Sequence, residues 1–270
     1  MKPEALQAAV AVARTAADEA GALIRSRWNT PLQIHQKGAV DLVTEVDLAA
    51  EAIILAHLRA AFPADQIIAE ESTERQPGAR TWYVDPLDGT TNFSHGFPHF
   101  AVSIALVDAE GLAVGVVHQP LQGWTFHATR GGGAWRDGHR LRVTDRASLD
   151  LALLATGFPY DRRTRPDDPF AEAAWLLRRC GGLRRAGAAA LDLAYVAAGW
   201  LDAYWESTLS AWDVAAGALL VLEAGGVVTG VGGDPLDLAA GHIAASNGPL
   251  HEPLLAELRA ARRSATSSAS

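Results

Sequence analysis

The chain has 270 residues, 49% of them hydrophobic and 20% charged, with a net charge of −8 and a single cysteine, Cys180. That is the composition of a globular protein with a large core, and it excludes an internal disulfide. No basic stripe offers a surface to nucleic acid, and no apolar run approaches the roughly 20 residues of a membrane span. The opening segment carries acids early and lacks the apolar core of a signal peptide, so a soluble protein in a reducing cytoplasm is expected. Basic residues are almost all arginine, with lysine only at Lys2 and Lys37, a bias most simply ascribed to codon usage.

Apolar side chains at helical spacing (Leu6, Val10, Ala16, Ala20, Leu23, Ile24) predict a first helix over 4–28, ended by Asn29-Thr30-Pro31. Residues 32–44 read as extended segments broken at Lys37-Gly38, and a second helix over 45–61 stops before Pro63. Gln66–Ala69 reads as a short strand leading into Glu70-Glu71-Ser72. Thr81–Val84 reads as a buried strand that stops at Asp85-Pro86. Between 99 and 145, apolar runs at Phe100–Val107, Leu112–His118, Trp124–Thr129 and Leu141–Val143 alternate with glycine-rich turns, the rhythm of an antiparallel sheet. From Leu151 the pattern becomes strand and helix in alternation. Strands are expected at Leu151–Ala155, 183–185, 202–206 and 227–229, with helices near 168–180, 188–199 and 213–224. The expected organisation is an α+β half over 1–145, an α/β half over 146–262 and a disordered tail over 263–270.

Four acidic clusters fall at the ends of these elements. Asp85 and Asp88 are three residues apart across a proline turn and can both face the space beyond the strand. Carboxylates held so close repel unless a cation lies between them, and all-oxygen ligands favour a hard ion such as Mg²⁺. Gly89-Thr90-Thr91 could open a helix or tight turn with free N–H groups facing an anion. The competing interpretation is an ordinary Asp-Gly turn, and on local grounds the two are balanced. Glu70 and Glu71 follow an apolar run instead of lying on a helix face, so one could complete a metal's shell. Asp213, before the apolar run 214–222, looks like a helix N-cap, with Gly225-Gly226 as the stop. Asp47 sits at the start of the second helix within Asp41-Leu42-Val43-Thr44-Glu45-Val46-Asp47. Helix capping accounts for it locally, and a Thr90–Asp47 relay that takes a proton from water is the functional alternative.

Together these clusters resemble the inositol monophosphatase family. Residues 82–98 match its first signature, Trp-x-x-Asp-Pro-[hydrophobic]-Asp-Gly-Thr-Thr-Asn-Phe-x-His-Gly-x-Pro. Trp212-Asp213-x-Ala-Ala-Gly and Glu223-Ala-Gly-Gly match the second, and Asp-Leu-Val-Thr-x-x-Asp at 41–47 and Glu-Glu-Ser at 70–72 complete the set. The resemblance implies an α/β fold built as a layered α-β-α-β-α sandwich. It implies a first Mg²⁺ on Glu70, Asp85 and the Leu87 carbonyl, and a second on Asp85, Asp88 and Asp213, with two or three ions per site. Thr90 with Asp47 would activate the attacking water on the first metal, with Glu70 counted among the catalytic groups. The backbone of Gly89 and Thr90, next to Thr91, would hold the phosphate. Gly187, Ala188 and Ala189 would line the substrate pocket, Glu206 would bind polyol hydroxyls, and Asp192 matches a ring-side acid of bacterial members. Ala188 replaces the serine of the common Gly-Ser-Ala-Ala motif, and His118-Gln119-Pro120 replaces Tyr-Asp-Pro. Homodimerisation, lithium sensitivity and magnesium dependence also follow from the likeness.

Inositol monophosphate leads as substrate because the Glu206 carboxylate accepts hydroxyl hydrogen bonds and repels further phosphates. Histidinol phosphate is the enzymatic alternative, since a carboxylate also tolerates its ammonium group. From another class, one bacterial branch of the family assists ribosomal RNA transcription by binding RNA polymerase complexes. The complete acid set and the lack of a basic docking surface weigh against that as the main role.

Overall fold

The computed structural model describes residues 1–36, 42–72, 78–165 and 168–268, and side chains as far as 265. The Lys37-Gly38 break and Asp41 lie outside the described residues. Helix α1 (Pro3–Arg27) opens with proline in its first turn and ends with Arg25 and Arg27 in its last, both suited to the helix dipole. Its buried face is mostly alanine: Ala9, Ala13, Ala16, Ala17 and Ala20 are fully buried, and small side chains let the helix lie close on the sheet beneath. Strands β1 (Ile34–Gln36) and β2 (Leu42–Thr44) form an antiparallel pair that leads into α2 (Glu45–Ala61).

Seven strands make the larger sheet: β3 (Gln66–Ala69), β4 (Thr81–Asp88), β5 (Ala101–Asp108), β6 (Gly111–Gln119), β7 (Trp124–Thr129), β8 (Gly133–Arg136) and β9 (His139–Arg140). They lie in chain order across the sheet, with β3 parallel to β4 and every other pair antiparallel. The short helix α3 (Thr90–Ser94) follows β4. The second sheet has five strands in the order β11-β10-β12-β14-β13. Its members are β10 (Leu153–Thr156), β11 (Gly182–Arg184), β12 (Ala203–Ser207), β13 (Val227–Thr229) and β14 (His242–Ser246). Helices α4 (Ala171–Leu177), α5 (Ala189–Ala197), α6 (Ala211–Glu223) and α7 (His251–Ser268) belong to this later part of the chain.

Side-chain alternation along the strands explains the layers. In β4, Trp82 and Val84 join α1 and α2 in one core, while Tyr83 faces the opposite side. In β5, Val102, Ile104 and Leu106 point to that first core, and Ala101 and Ala105 point to α5 and α6. Helices α5 and α6 therefore lie between the two sheets. A third cluster, including Leu154, Trp205, Leu176, Leu254 and Leu258, packs α4 and α7 on the far face of the five-stranded sheet. The result is the α-β-α-β-α sandwich.

Several boundaries differ from the sequence-based expectations. Strand β4 does not stop at Asp85 but runs to Asp88, with a register shift against β5 between Asp85 and Asp88. Pro86 lacks a ladder donor, and a bulge is where a strand tolerates that. Leu141–Val143 forms no strand; β8 and β9 end the sheet, and Val143 N–H instead bonds Ala224 O at 3.2 Å. Helix α4 starts later than 168, because Pro169 lies inside a turn in which Asp168 accepts the Phe170 N–H at 2.8 Å, and it ends at Leu177. Strand β14 and helix α7 went unread. The disordered tail after Arg262 is also corrected, since α7 runs through to Ser268. Leu254, Leu255, Leu258 and Ala261 bury one face of α7, and no glycine or proline after Pro253 interrupts it.

The contact between α6 and the larger sheet is made at glycine. A Cβ on Gly115 in β6 would lie 2.7 Å from the Ala216 carbonyl oxygen, a backbone atom with no freedom to retreat. Gly115→Val should therefore destabilise the protein by roughly 1–3 kcal/mol, the usual range for overpacking. Urea unfolding should show a lower midpoint with an unchanged slope, and an unshifted midpoint would contradict this packing.

Candidate active site

The β4–α3 junction builds the centre of the site. Asp85 is almost fully buried, and its Oδ1 accepts the Leu87 N–H at 2.9 Å. Gly89 takes a left-handed φ of 94°, and a Cβ there would be 3.0 Å from His99 O, so glycine alone lets the chain turn from strand into helix. The Thr90 hydroxyl then lies 2.8 Å from Asp47 Oδ1 and 3.0 Å from the Leu87 carbonyl oxygen. Asp47 is itself fully buried, at the third position of α2. Its Oδ2 accepts the Thr44 N–H at 2.9 Å and the Thr44 hydroxyl at 2.6 Å, while the Thr44 hydroxyl accepts the Val46 N–H. The capping of α2 and the Thr90–Asp47 contact thus coexist on one carboxylate. One carboxylate oxygen caps the helix and the other meets Thr90.

Asp213 has the same construction. It is not the N-cap; Ser210 is, and Asp213 Oδ2 accepts the Ser210 N–H at 2.7 Å from the third helical position. Glu70 follows β3, its N–H bonded to Val84 O at 3.1 Å. The chain beyond it is tied down by the buried Glu51 of α2, which accepts the Glu71 N–H at 2.9 Å and the Ser72 hydroxyl. Asp88 Oδ2 accepts the Ala190 N–H at 2.7 Å, joining the larger sheet to the start of α5.

These elements enclose a cavity of about 330 Å³ lined by Glu70, Asp85, Leu87, Asp88, Gly89, Thr90, Gly187, Ala188, Ala189, Glu206 and Asp213. Eleven of the residues anticipated from sequence meet there, and Asp47 stands behind Thr90. Thr91 does not join them and lines a neighbouring cavity instead. Asp192 is not among the lining residues either: it is buried, with Oδ1 3.7 Å from His99 Nε2. Sequence reasoning missed Gly157–Tyr160, Arg185 and Thr208–Ser210, which also line the wall. The signal was the Gly-Phe-Pro turn after the Leu151–Ala155 strand and the arginine two residues before Gly187.

The electrostatics are those of crowded acids. Burial pushes the Asp85 carboxyl well above its ordinary range, and Glu70, Asp88 and Asp213 add repulsion. Asp88 is raised likewise by burial and by Asp213, Asp192 and Glu206, while the Ala190 N–H opposes the shift. Burial also raises Asp47 against the hydrogen bonds from Thr44 and Thr90. Among the described residues no three acids are already arranged as a metal shell. The donor set nevertheless suits a hard divalent cation through charge and oxygen chemistry.

Glu206 is held on the opposite wall. The Tyr204 hydroxyl donates to its carboxylate, and a Cβ on Gly157 would coincide with that carboxylate, so glycine leaves the space it occupies. Burial, aided by Asp192, raises the Glu206 pKa to about 7, while Tyr204 and Arg185 act to lower it.

Residues 5–264 match the family model described as the inositol monophosphatase family. The chain is 44% identical over 261 residues to the inositol-1-monophosphatase of Synechocystis, spanning 96% of this chain and 91% of the relative. It is 47% identical over 262 residues to the Nus factor SuhB of Pseudomonas aeruginosa, spanning 94% and 97%. The inositol monophosphatase structure from Anabaena superposes with a TM-score of 0.85 at 41% identity, covering 94% of this chain and 96% of that one. The Bartonella henselae suhB structure gives 0.87 at 39%, covering 93% and 98%. Fold and site thus define a phosphatase-type α/β sandwich. The chain belongs to the inositol monophosphatase family. Among the described residues no helix is long and apolar enough to cross a membrane.

The raised Glu206 pKa has a consequence for stability. A carboxyl favoured in its neutral form by folding contributes stability below its unfolded value of 4.5 and loses it as pH rises through about 7. Glu206→Gln should therefore unfold at a higher temperature than the parent at pH 8 in chelator, with the difference shrinking by pH 5. Equal gains at both pH values would contradict the burial of this charge.

Proposed function

We propose that this protein is a Mg²⁺-dependent phosphomonoesterase that hydrolyses inositol monophosphate to inositol and phosphate. The observation that carries the reading is the Thr90 hydroxyl, set between Asp47 Oδ1 and the Leu87 carbonyl beside the carboxylates of the cavity. Glu70, Asp85 and the Leu87 carbonyl would hold one Mg²⁺ and Asp85, Asp88 and Asp213 a second. Such ions supply the positive charge that lowers the pKa of water and stabilises the leaving oxygen.

The protein's own groups do the rest. Thr90 orients the attacking water by accepting its proton as its own hydroxyl proton passes to Asp47, whose burial and raised pKa suit it to receive one. Gly89 and Thr90, at the cavity wall, offer backbone N–H groups to the phosphate. Glu206 accepts hydrogen bonds from the polyol hydroxyls on the other side, and Ala188 leaves one fewer polar contact than the serine of many relatives. A reducing cytoplasm, a homodimer and inhibition by lithium accompany the reading through the family likeness.

A second reading comes from relatives carrying the name Nus factor SuhB. A role at RNA polymerase would act through an outer surface, and the chain's net charge of −8 gives no basic face for RNA. Co-purification with polymerase that persists in Asp88→Asn would support it as a separate activity.

With magnesium, phosphate release from inositol 1-phosphate should exceed that from L-histidinol phosphate, and a clear preference for the latter would reassign the substrate. Asp88→Asn and Asp213→Asn should each lose most activity while keeping the fold by circular dichroism. Near-normal turnover in both at saturating magnesium would refute their role. Thr90→Ala should lower kcat by about 10²–10⁴-fold, the usual range for a lost acid–base group, with a smaller change in KM. A kcat within a factor of three of the parent would remove the relay.

A further inference from the structure

Glu51 is a buried carboxylate in the middle of α2, and an acid is placed there at a cost unless its oxygens are satisfied. It lies four residues after Asp47, so the two carboxylates rise from one face of the helix. Ile54 and Leu58 continue that face into the core shared with Trp82 and Val84 of β4. The helix that carries both acids is therefore anchored against the strand that carries Asp85 and Asp88.

The two acids have different partners. Asp47 Oδ1 meets the Thr90 hydroxyl at 2.8 Å. Glu51 reaches the end of β3, where its Oε2 accepts the Glu71 N–H at 2.9 Å and its Oε1 accepts the Ser72 hydroxyl. Among the described residues, the partners of this carboxylate are thus the two residues that directly follow Glu70. On the other side, the Glu70 N–H donates to Val84 O at 3.1 Å, one residue past the last β3–β4 pair, Ala69 with Val84. Glu70 is clasped between the sheet before it and α2 after it. The second clasp matters because β3 is the edge of the larger sheet, with no strand on its outer side to hold the chain as it leaves.

We infer that Glu51 is a positioning residue for the first metal, fixing the backbone after Glu70 so that the Glu70 carboxylate is set before a cation arrives. The inference rests on the Mg²⁺-dependent reading and assigns a role that the ligand set itself does not contain. One rigid helix then places both the proton acceptor, through Asp47, and a ligand of the ion that activates the water, through Glu51. Fixing a residue's backbone ahead of binding removes an ordering cost worth on the order of tenfold in affinity. The clasp works through hydrogen bonds to an N–H and a hydroxyl, so its shape matters more than its charge. A glutamine can reproduce it, with the amide oxygen accepting the Glu71 N–H and the amide nitrogen donating to the Ser72 hydroxyl oxygen.

Calorimetric titration of Mg²⁺ into the metal-free full-length protein, without substrate, tests this apart from turnover. Glu70→Gln and Asp213→Asn first identify which binding event depends on each ligand. Glu51→Ala should weaken the Glu70-dependent event by about tenfold and leave the Asp213-dependent event within twofold of the parent. Ser72→Ala, which removes one of the two clasping bonds at the edge of the site, should weaken the same event severalfold. Glu51→Gln should stay within threefold of the parent. A general loosening of the fold would weaken both events together, and that result in Glu51→Ala would overturn the inference. So would an unchanged Glu70-dependent event in Ser72→Ala, whether or not Glu51→Ala folds, or a Glu51→Gln protein as weak as Glu51→Ala. If neither Glu70→Gln nor Asp213→Asn alters Mg²⁺ binding, the two-metal reading itself falls and the role of Glu51 falls with it. If both ligand variants lose their events while the Glu51 and Ser72 variants bind as the parent does, only the positioning role is lost.

Discussion

Asp85, Asp88, Asp213 and Glu70 are brought together against their own repulsion, and the architecture makes sense as the means of holding them there. Burial and mutual charge raise Asp85 and Asp88 far above ordinary carboxylates. Left to themselves such groups would protonate or move apart. They stay because three well-packed elements fix them: Asp85 and Asp88 in a strand of the larger sheet, Asp213 in the helix packed on that sheet, Glu70 at the end of an adjacent strand. The packing of three apolar layers stabilises an electrostatic arrangement that is unfavourable until positive charge arrives. That tension is common where binding sites are built from otherwise ordinary folds.

Two of the acids solve a further problem by the same device. Asp47 and Asp213 each occupy the third position of a helix and each use Oδ2 to accept the N–H of the capping residue. One oxygen orders the side chain, and in Asp47 the other meets Thr90. A flexible carboxylate would have to be frozen when ligand binds; these are frozen when the helix forms. Glu206 is fixed differently, by a tyrosine hydroxyl and by the absence of a side chain at Gly157.

The sequence was most legible where physics is local. Helical spacing gave α1 and α2 nearly to the residue, and the runs of the antiparallel sheet gave β5, β6 and β7. The acid clusters could be read because signatures covered them from Asp41 to Gly226. What could not be read depends on contacts between distant parts of the chain. Asp85 ends a strand by local rules, yet β4 continues because β5 pairs beyond it. Asp213 looks like a cap until Ser210 is seen to take that place. The small strands β8 and β9 and the register of β14 are set by neighbours across the sheet. Arg185 carries no motif of its own, and only the folded cavity wall brings it to the site.

Helix α6 belongs by sequence to the later part of the chain, yet it packs through Gly115 and Ala216 on the sheet made by the earlier part, and it carries Asp213 across the join. Neither stretch of polypeptide therefore owns a complete set of acids. A cut at the exposed turn around Arg163 would leave Glu70, Asp85 and Asp88 on one fragment and Asp213 on the other.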